Sequence, residues 1–340
     1  MVCGISLVLW FAFQNCGRSF APMTTDNTSR LVFPLKTPGE TGVEPGYDII
    51  IVAGQSNAVG IGRQTISFSS EDTKNDILIF QFDRPDHLPG SRETATAMQV
   101  VPATDHLQFW GLDPSQEFNF GSGNKFQGFG MPFARLYAKK FLQPGRKVLI
   151  VPAAMGGSSI SLWLGLHPAS AAVWEYASTN LYPDFKMRVD AALALPGGEN
   201  RIVALLWHQG ETDITFSTLD PHPEGMNDAQ TYRSRFILLM TKIRQEYPST
   251  QLYPIIAGEV VSGWQPNAAT VTAKANFANM MIDLVQNPPS VLAPFGFVRS
   301  SGLNSNYEVD SGTNDPIHFS SASLVSLGGR YFNLYSAIKP

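Results

Sequence analysis

The strongest constraint on this 340-residue chain is a rhythm in its apolar residues. Asp48 to Ala53 (DIIIVA) is a short, continuous, β-branched run that ends in Gly54. Similar runs occupy Ile77 to Phe82, Lys147 to Val151, Ile202 to Trp207, Leu252 to Ala257 and Phe295 to Val298. Runs that are apolar at successive positions predict strands buried on both faces, as in a parallel sheet. Helical spacing fills most of the intervals, at Pro132 to Leu142, Asp184 to Leu195, Asp228 to Tyr247 and Ala268 to Val285, with a last helix from Ser321 to Ile338. Strands alternating with amphipathic helices build right-handed βαβ units, which predicts a three-layer α/β/α architecture with a mainly parallel central sheet.

Two stretches break the rhythm. Residues 84–130 are punctuated by Gly and Pro and carry Phe109, Trp110, Phe118, Phe120, Phe126 and Phe129. An insertion of that length is either a wall over a site, with aromatic faces for sugar rings, or a satellite hydrophobic cluster that pins the loop. At the N-terminus, Ile5 to Phe13 is an apolar run of signal-peptide length, followed by polar residues and a small Ala21. Residues 1–21 therefore read as a removable export signal, with a frayed terminal strand or helix as the alternative. Residues 22–46 read as an irregular lead-in and 47–340 as one domain. This predicts a secreted or extracytoplasmic protein with no stable membrane insertion after the signal is removed. Both cysteines, Cys3 and Cys16, fall in the leader, so the body has neither a disulfide framework nor a thiolate metal site. A net charge of -4 without Lys/Arg clusters argues against a nucleic-acid partner and favours a small or neutral polar ligand.

Candidate chemistry collects where apolar runs stop. Gly54-Gln55-Ser56-Asn57 follows the first strand, and ligands of open α/β sheets bind outside the carboxyl ends of the strands. Ser56 thus stands where a nucleophile belongs, on a turn that Gly54 permits. Ala153 to Ile160 includes Gly156-Gly157-Ser158-Ser159, whose glycines bring backbone N–H groups close to a ligand. Trp207-His208-Gln209-Gly210-Glu211-Thr212-Asp213 ends another apolar run with a dense polar cluster. Asn314-Asp315-Pro316-Ile317-His318-Phe319 precedes the final helix, and an Asp three residues ahead of a His on a turn can receive the Nδ1 proton while Nε2 faces a serine.

These blocks resemble, in order and spacing, the sialate O-acetylesterase / acetylxylan esterase family of carbohydrate esterases within the SGNH hydrolases. The likeness spans about Asp48 to Tyr335 and takes in Gly130-Met131-Pro132-Phe133-Ala134. The resemblance implies a flavodoxin-like sheet, no cofactor, and deacetylation of O-acetylated sugars. Ser56, Asp315 and His318 match the family's triad. Ser56 N–H, a glycine N–H from Gly156 or Gly157, and the Gln209 side chain match its oxyanion hole. Gln55, Asn57, Glu211 and Asp213 are assigned to support, the two acids holding the Gln209 loop and the Ser56 turn.

Two other readings stay open at this stage. His208, Glu211 and Asp213, with His222, could ligate a metal in a metal-assisted hydrolase, a reading that leaves Ser56 and the Asp315/His318 pair idle. The aromatic insertion could serve a non-catalytic carbohydrate-binding protein. The partner expected is an acetylated carbohydrate. Sialic acid calls for a cation against its carboxylate, and Arg63, Arg84, Arg92 and Arg299 are only loosely placed, which favours a neutral xylan-type polysaccharide.

Overall fold

The structure is a computed structural model and describes residues 46–63, 77–82, 98–103, 128–166, 180–218, 228–249 and 252–340. The expected leader, most of the lead-in, most of the 84–130 insertion, and Arg84, Arg92 and His222 lie outside them. The strands are β1 (Tyr47–Gly54), β2 (Ile77–Phe82), β3 (Met98–Pro102), β4 (Lys147–Ala154), β5 (Arg201–His208), β6 (Ile255–Gly258) and β7 (Phe295–Val298). They form one sheet in the order β3-β2-β4-β1-β5-β6-β7, parallel throughout except for the β2–β3 pair. The segment β4-β1-β5-β6-β7 has the flavodoxin-like order 2-1-3-4-5 among these five strands. The three-layer, mainly parallel architecture expected from the apolar rhythm is therefore what the chain adopts.

Two strands differ from expectation. β3 falls inside the expected insertion and pairs antiparallel at the sheet edge, where a terminal Pro102 removes no needed ladder donor. β6 begins at Ile255 rather than Leu252, since Pro254 has no N–H and only offers its carbonyl, which accepts from Leu205 N at 3.0 Å.

The helices are α1 (Ser56–Val59), α2 (Gly130–Phe141), α3 (Ile160–Leu164), α4 (Tyr182–Leu193), α5 (Glu211–Phe216), α6 (Ala229–Glu246), α7 (Ala268–Gln286), α8 (Asn306–Val309) and α9 (Ser321–Ile338). α2 and α9 pack on each other over one face of the sheet, while α4, α6 and α7 cover the other. Side-chain caps set several of their starts: Asp228 accepts from Thr231 N at 2.7 Å and Asn267 from Thr270 N at 2.8 Å. Covered on both faces, β1 is buried along its whole length.

Register places the site. Gly54 lies opposite Ala154 of β4 and His208 of β5, so three strands end level. Gln55 N donates to the His208 carbonyl at 2.9 Å and Met155 N to the Gly54 carbonyl at 2.9 Å, tying the three outgoing turns together. Gly54 has φ 132°, and a Cβ there would collide with the His208 carbonyl. No other residue fits so close an approach. From β1 the chain winds to β4 on one side and to β5 on the other, so the topological switch point falls at this level end.

The opposite end of β1 is held by charge. Asp48 is fully buried and accepts from Tyr137 Oη at 2.8 Å, Arg146 Nε at 2.8 Å and Arg201 Nε at 2.7 Å. One carboxylate thus gathers α2, the approach to β4 and the start of β5. Its removal leaves two guanidinium groups and a buried phenol short of an acceptor. Asp48→Ala is expected to destabilise the fold by about 3 kcal/mol, read from the urea midpoint, while the protein that remains folded keeps its turnover number.

Candidate active site

Ser56 opens α1 directly beyond the close approach at Gly54, and its Oγ lies 2.9 Å from His318 Nε2. His318 Nδ1 lies 2.8 Å from Asp315 Oδ1. The two contacts span 262 and 3 residues of sequence, and all three side chains are buried. Since a carboxylate only accepts, Nδ1 carries the hydrogen of the neutral imidazole and Nε2 turns a lone pair to the serine hydroxyl.

Asp315 is held by more than His318. Its Oδ1 also accepts from His318 N at 3.3 Å, and its Oδ2 accepts from Asn306 Nδ2 at 2.9 Å and lies 3.2 Å from Arg63 Nη2. Burial pushes this carboxyl up, but His318, Asn306 and Arg63 together outweigh burial and keep it below the usual aspartate range. Asp315 therefore stays an anion across the working range of pH. The turn that carries it is braced by α8: Tyr307 N donates to the Asp315 carbonyl at 3.0 Å and Asn306 N to the His318 carbonyl at 2.8 Å. A capping box between Ser305 and Glu308 fixes the start of α8, and Asn314 enters the turn at φ 48°, a left-handed conformation that asparagine tolerates.

Asn306 is a site residue that the sequence reading missed, and Arg63 is one to which it gave another role. Arg63 was placed there among cations for a substrate carboxylate; the structure instead commits it to Asp315 and, through Nη1, to the Thr313 carbonyl at 3.3 Å. Arg299 likewise pairs with Glu259 at 3.0 Å. The Ser305-x-x-Glu308 pattern was the available signal that a helix starts beside the Asp315 turn.

Asn57, next to the serine, accepts from Phe319 N at 3.0 Å through Oδ1 and donates through Nδ2 to the Ile317 carbonyl at 3.1 Å and to Glu211 Oε1 at 2.6 Å. Gln55 Oε1 accepts from Gly210 N and Thr212 N, both at 3.3 Å, and from Gln209 Nε2 at 3.2 Å. The support expected of Gln55, Asn57 and Glu211 thus has explicit partners.

Gln209 sits differently from expectation. Its Nε2 also faces the Ser158 carbonyl at 3.0 Å and Asp213 Oδ2 at 2.5 Å, so two amide hydrogens meet three protein acceptors. The donor expected of Gln209 is committed to the protein in this state, because buried acceptors at three sides demand it. Asp213 also accepts from Ile160 N at 3.0 Å, and burial, opposed by Gln209 and Ile160, pushes its carboxyl up to about 7. Gly157 has φ 69°, and among the described residues the backbone N–H groups of Ser56, Gly156 and Gly157 reach no acceptor.

The metal-site alternative finds no convergence. Among the described residues no group of three or more His, Cys, Asp or Glu side chains is placed to hold an ion. Asp213 is turned to Gln209 and Ile160 N, whereas Glu211 is turned to Asn57.

A polar cluster on level strand ends at the switch point of a 2-1-3-4-5 sheet stands where an open α/β sheet binds its ligand. The chain belongs to the carbohydrate esterase family described as sialic acid-specific acetylesterase, which matches residues 46–337. It is a carboxylic ester hydrolase of that family. It is 28% identical over 191 residues to a probable 9-O-acetyl-N-acetylneuraminic acid deacetylase of Escherichia coli, covering 53% of this chain and 58% of that protein. It is 26% identical over 233 residues to a probable carbohydrate esterase of Arabidopsis thaliana, covering 67% of this chain and 76% of that one. Solved structures of an Arabidopsis thaliana protein and of NanS each share the fold with a TM-score of 0.57 at 19% identity, covering 87% of this chain and 100% and 98% of theirs.

Arg63 offers a thermodynamic check. A carboxyl whose folded pKa is depressed contributes stability above its unfolded value of about 3.9, and that contribution is lost as pH falls through the folded value. Arg63→Gln weakens the depression at Asp315. The stability deficit of the variant, measured by urea denaturation, should be largest at neutral pH and should narrow on acidification through the aspartate range.

Proposed function

We propose that the protein is a serine esterase that removes O-acetyl groups from a carbohydrate through an acetyl-enzyme, with Ser56 as nucleophile. The observation that carries this reading is the continuous relay from Ser56 Oγ to His318 Nε2 at 2.9 Å and from Nδ1 to Asp315 at 2.8 Å. Oγ attacks the acetyl carbonyl while His318 takes its proton, and the tetrahedral oxyanion collapses with cleavage of the bond to the sugar oxygen, which receives that proton from His318. Water then repeats the cycle on the acetyl-serine and releases acetate. Asp315 keeps the proton on Nδ1 and stabilises the imidazolium. The oxyanion meets backbone N–H groups of Ser56 and of Gly156 or Gly157, which lack acceptors among the described residues, and Gln209 braces the strand ends that aim them. No step requires a cofactor.

On substrate, Arg63 and Arg299 are both engaged by protein carboxylates, which supports a neutral acetylated glycan of the xylan type. The family description and the Escherichia coli relative support a second reading, an O-acetyl sialoside. Secretion by way of residues 1–21 belongs to the same proposal, since such glycans lie outside the cell.

Ser56→Ala should keep the fold and lose on the order of 10⁴-fold or more in kcat, and Asp315→Asn about 10⁴-fold. Wild-type turnover by Ser56→Ala ends the serine reading. Acetate release from acetylated xylan, a 9-O-acetyl sialoside and p-nitrophenyl acetate ranks the substrates. For Gln209→Ala, melting temperature and kcat should fall together. A loss of about 10²–10³ in kcat at unchanged melting temperature would instead make Gln209 an oxyanion donor.

A further inference from the structure

The mechanism leaves two fully buried ionisable groups unused, His208 and Glu211. His208 ends β5 inside an aromatic wall, with ring centroids of Phe319, Phe129 and Tyr331 at 5.6, 5.8 and 6.4 Å. Gly258 of β6 lies so near that a Cβ there would strike both His208 Nδ1 and the Tyr331 hydroxyl.

Hydrogen-bond direction fixes the protons. The Tyr331 hydroxyl gives its single hydrogen to the Trp207 carbonyl at 2.9 Å, so it can only accept from His208 Nδ1, 3.1 Å away. Nδ1 therefore holds the hydrogen of the neutral ring, and Nε2 presents a lone pair with no hydrogen-bond partner among the described residues. Glu211 Oε1 lies 3.8 Å from that lone pair. On the other side of the carboxyl, the Asn57 amide cannot be reversed, because Phe319 N only donates to it and the Ile317 carbonyl only accepts from it. Its Nδ2 must then donate to Glu211 Oε1 as well. Among the described residues Glu211 Oε2 has no hydrogen-bond partner from another residue.

An ionised Glu211 would thus be a desolvated anion facing a lone pair, and the Asn57 amide, its own backbone N–H and the field of His318 together do not outweigh that burial. A proton on the carboxyl removes the charge and supplies a donor. Burial acts in the same sense on both groups, pushing Glu211 up and His208 down to about 3.

We propose that Glu211 is a neutral carboxylic acid, sharing its proton's compartment with an uncharged His208, and that it positions His318 through the Asn57 side chain. Asn57 grips the peptide groups on both sides of His318 and stands next to Ser56, so fixing its amide fixes the distance between nucleophile and base. A neutral acid does this without placing a second negative charge behind the imidazole. Glu211 is a positioning residue, and its effect belongs in kcat rather than KM. Only this kinetic consequence rests on the serine-esterase reading.

The test joins infrared difference spectra of wild type against Glu211→Gln at neutral pH with kinetics of Glu211→Gln, Glu211→Ala and Asn57→Asp on p-nitrophenyl acetate. The expected difference spectrum shows a protonated-carboxyl stretch that Glu211→Gln removes. Glu211→Ala and Asn57→Asp should lose about 10²-fold in kcat with KM within about twofold, and Glu211→Gln, which keeps the acceptor for Asn57, should lose about tenfold less. Carboxylate bands in place of the protonated stretch overturn the proposal, as does a folded Glu211→Gln no more active than Glu211→Ala, or a Glu211→Ala with wild-type kcat. Should Glu211→Ala not fold, Asn57→Asp and the spectra decide. Turnover that survives Ser56→Ala refutes the esterase mechanism alone, and the infrared result still decides the state of Glu211.

Discussion

The level ending of β4, β1 and β5 is the constraint on which the rest of the site depends. A parallel register slip would move the Gly54, Ala154 and His208 ends out of line, and the turns that follow would no longer share hydrogen bonds. The missing side chain at Gly54 permits the contact with the His208 carbonyl that brings the serine turn and the Gln209 loop together. At the far end the Asp48 carboxylate ties the same three-strand unit, so β1 is fixed at both ends rather than by apolar packing alone. Apolar burial supplies most of the driving force but is indifferent to registration along a uniformly apolar strand. The polar ends supply that registration.

Above the sheet, the problem is to bury Gln55, Asn57, Glu211, Asp213 and Asp315 without leaving uncompensated charge. The chain answers differently for each acid. Asp315 receives cationic and amide donors from Arg63, Asn306 and His318 and stays ionised. Asp213 has the Gln209 amide, Ile160 N and the more distant charge of Arg235, but among the described residues no ion-pair partner within bonding distance, and burial raises its carboxyl. Two buried aspartates at the same end of the sheet are therefore shifted in opposite directions because their donors differ.

How much of this was legible in the sequence depends on whether the information is local. The buried strands were legible because continuous β-branched runs leave few alternatives, and β7 appears with the bounds expected. The Asp315–His318 pair was legible for the same reason, since three residues on a turn fix their geometry. β3 was not, because a five-residue edge strand needs only one partner and carries a weaker pattern. The roles of Arg63 and Asn306 were not legible because they come from partners some 250 and 9 residues away across a fold not yet known. Gln209 was identified as a strand-end amide, but the direction of an amide is set by its acceptors, and Asp213, Ser158 and Gln55 arrive from three separate segments.

The separation of 262 residues between Ser56 and His318 carries a kinetic consequence. The first strand of the sheet is its central one, and it waits for β4 and β5, whose paired residues lie about 100 and 153 positions later. Such long closures slow folding, since chain entropy is spent before the pairing repays it. His318 arrives later still, on the turn before the last helix. A nascent or partly folded chain thus holds Ser56 without His318, and under the proposed mechanism hydrolytic competence waits for this contact between residues 262 positions apart to close.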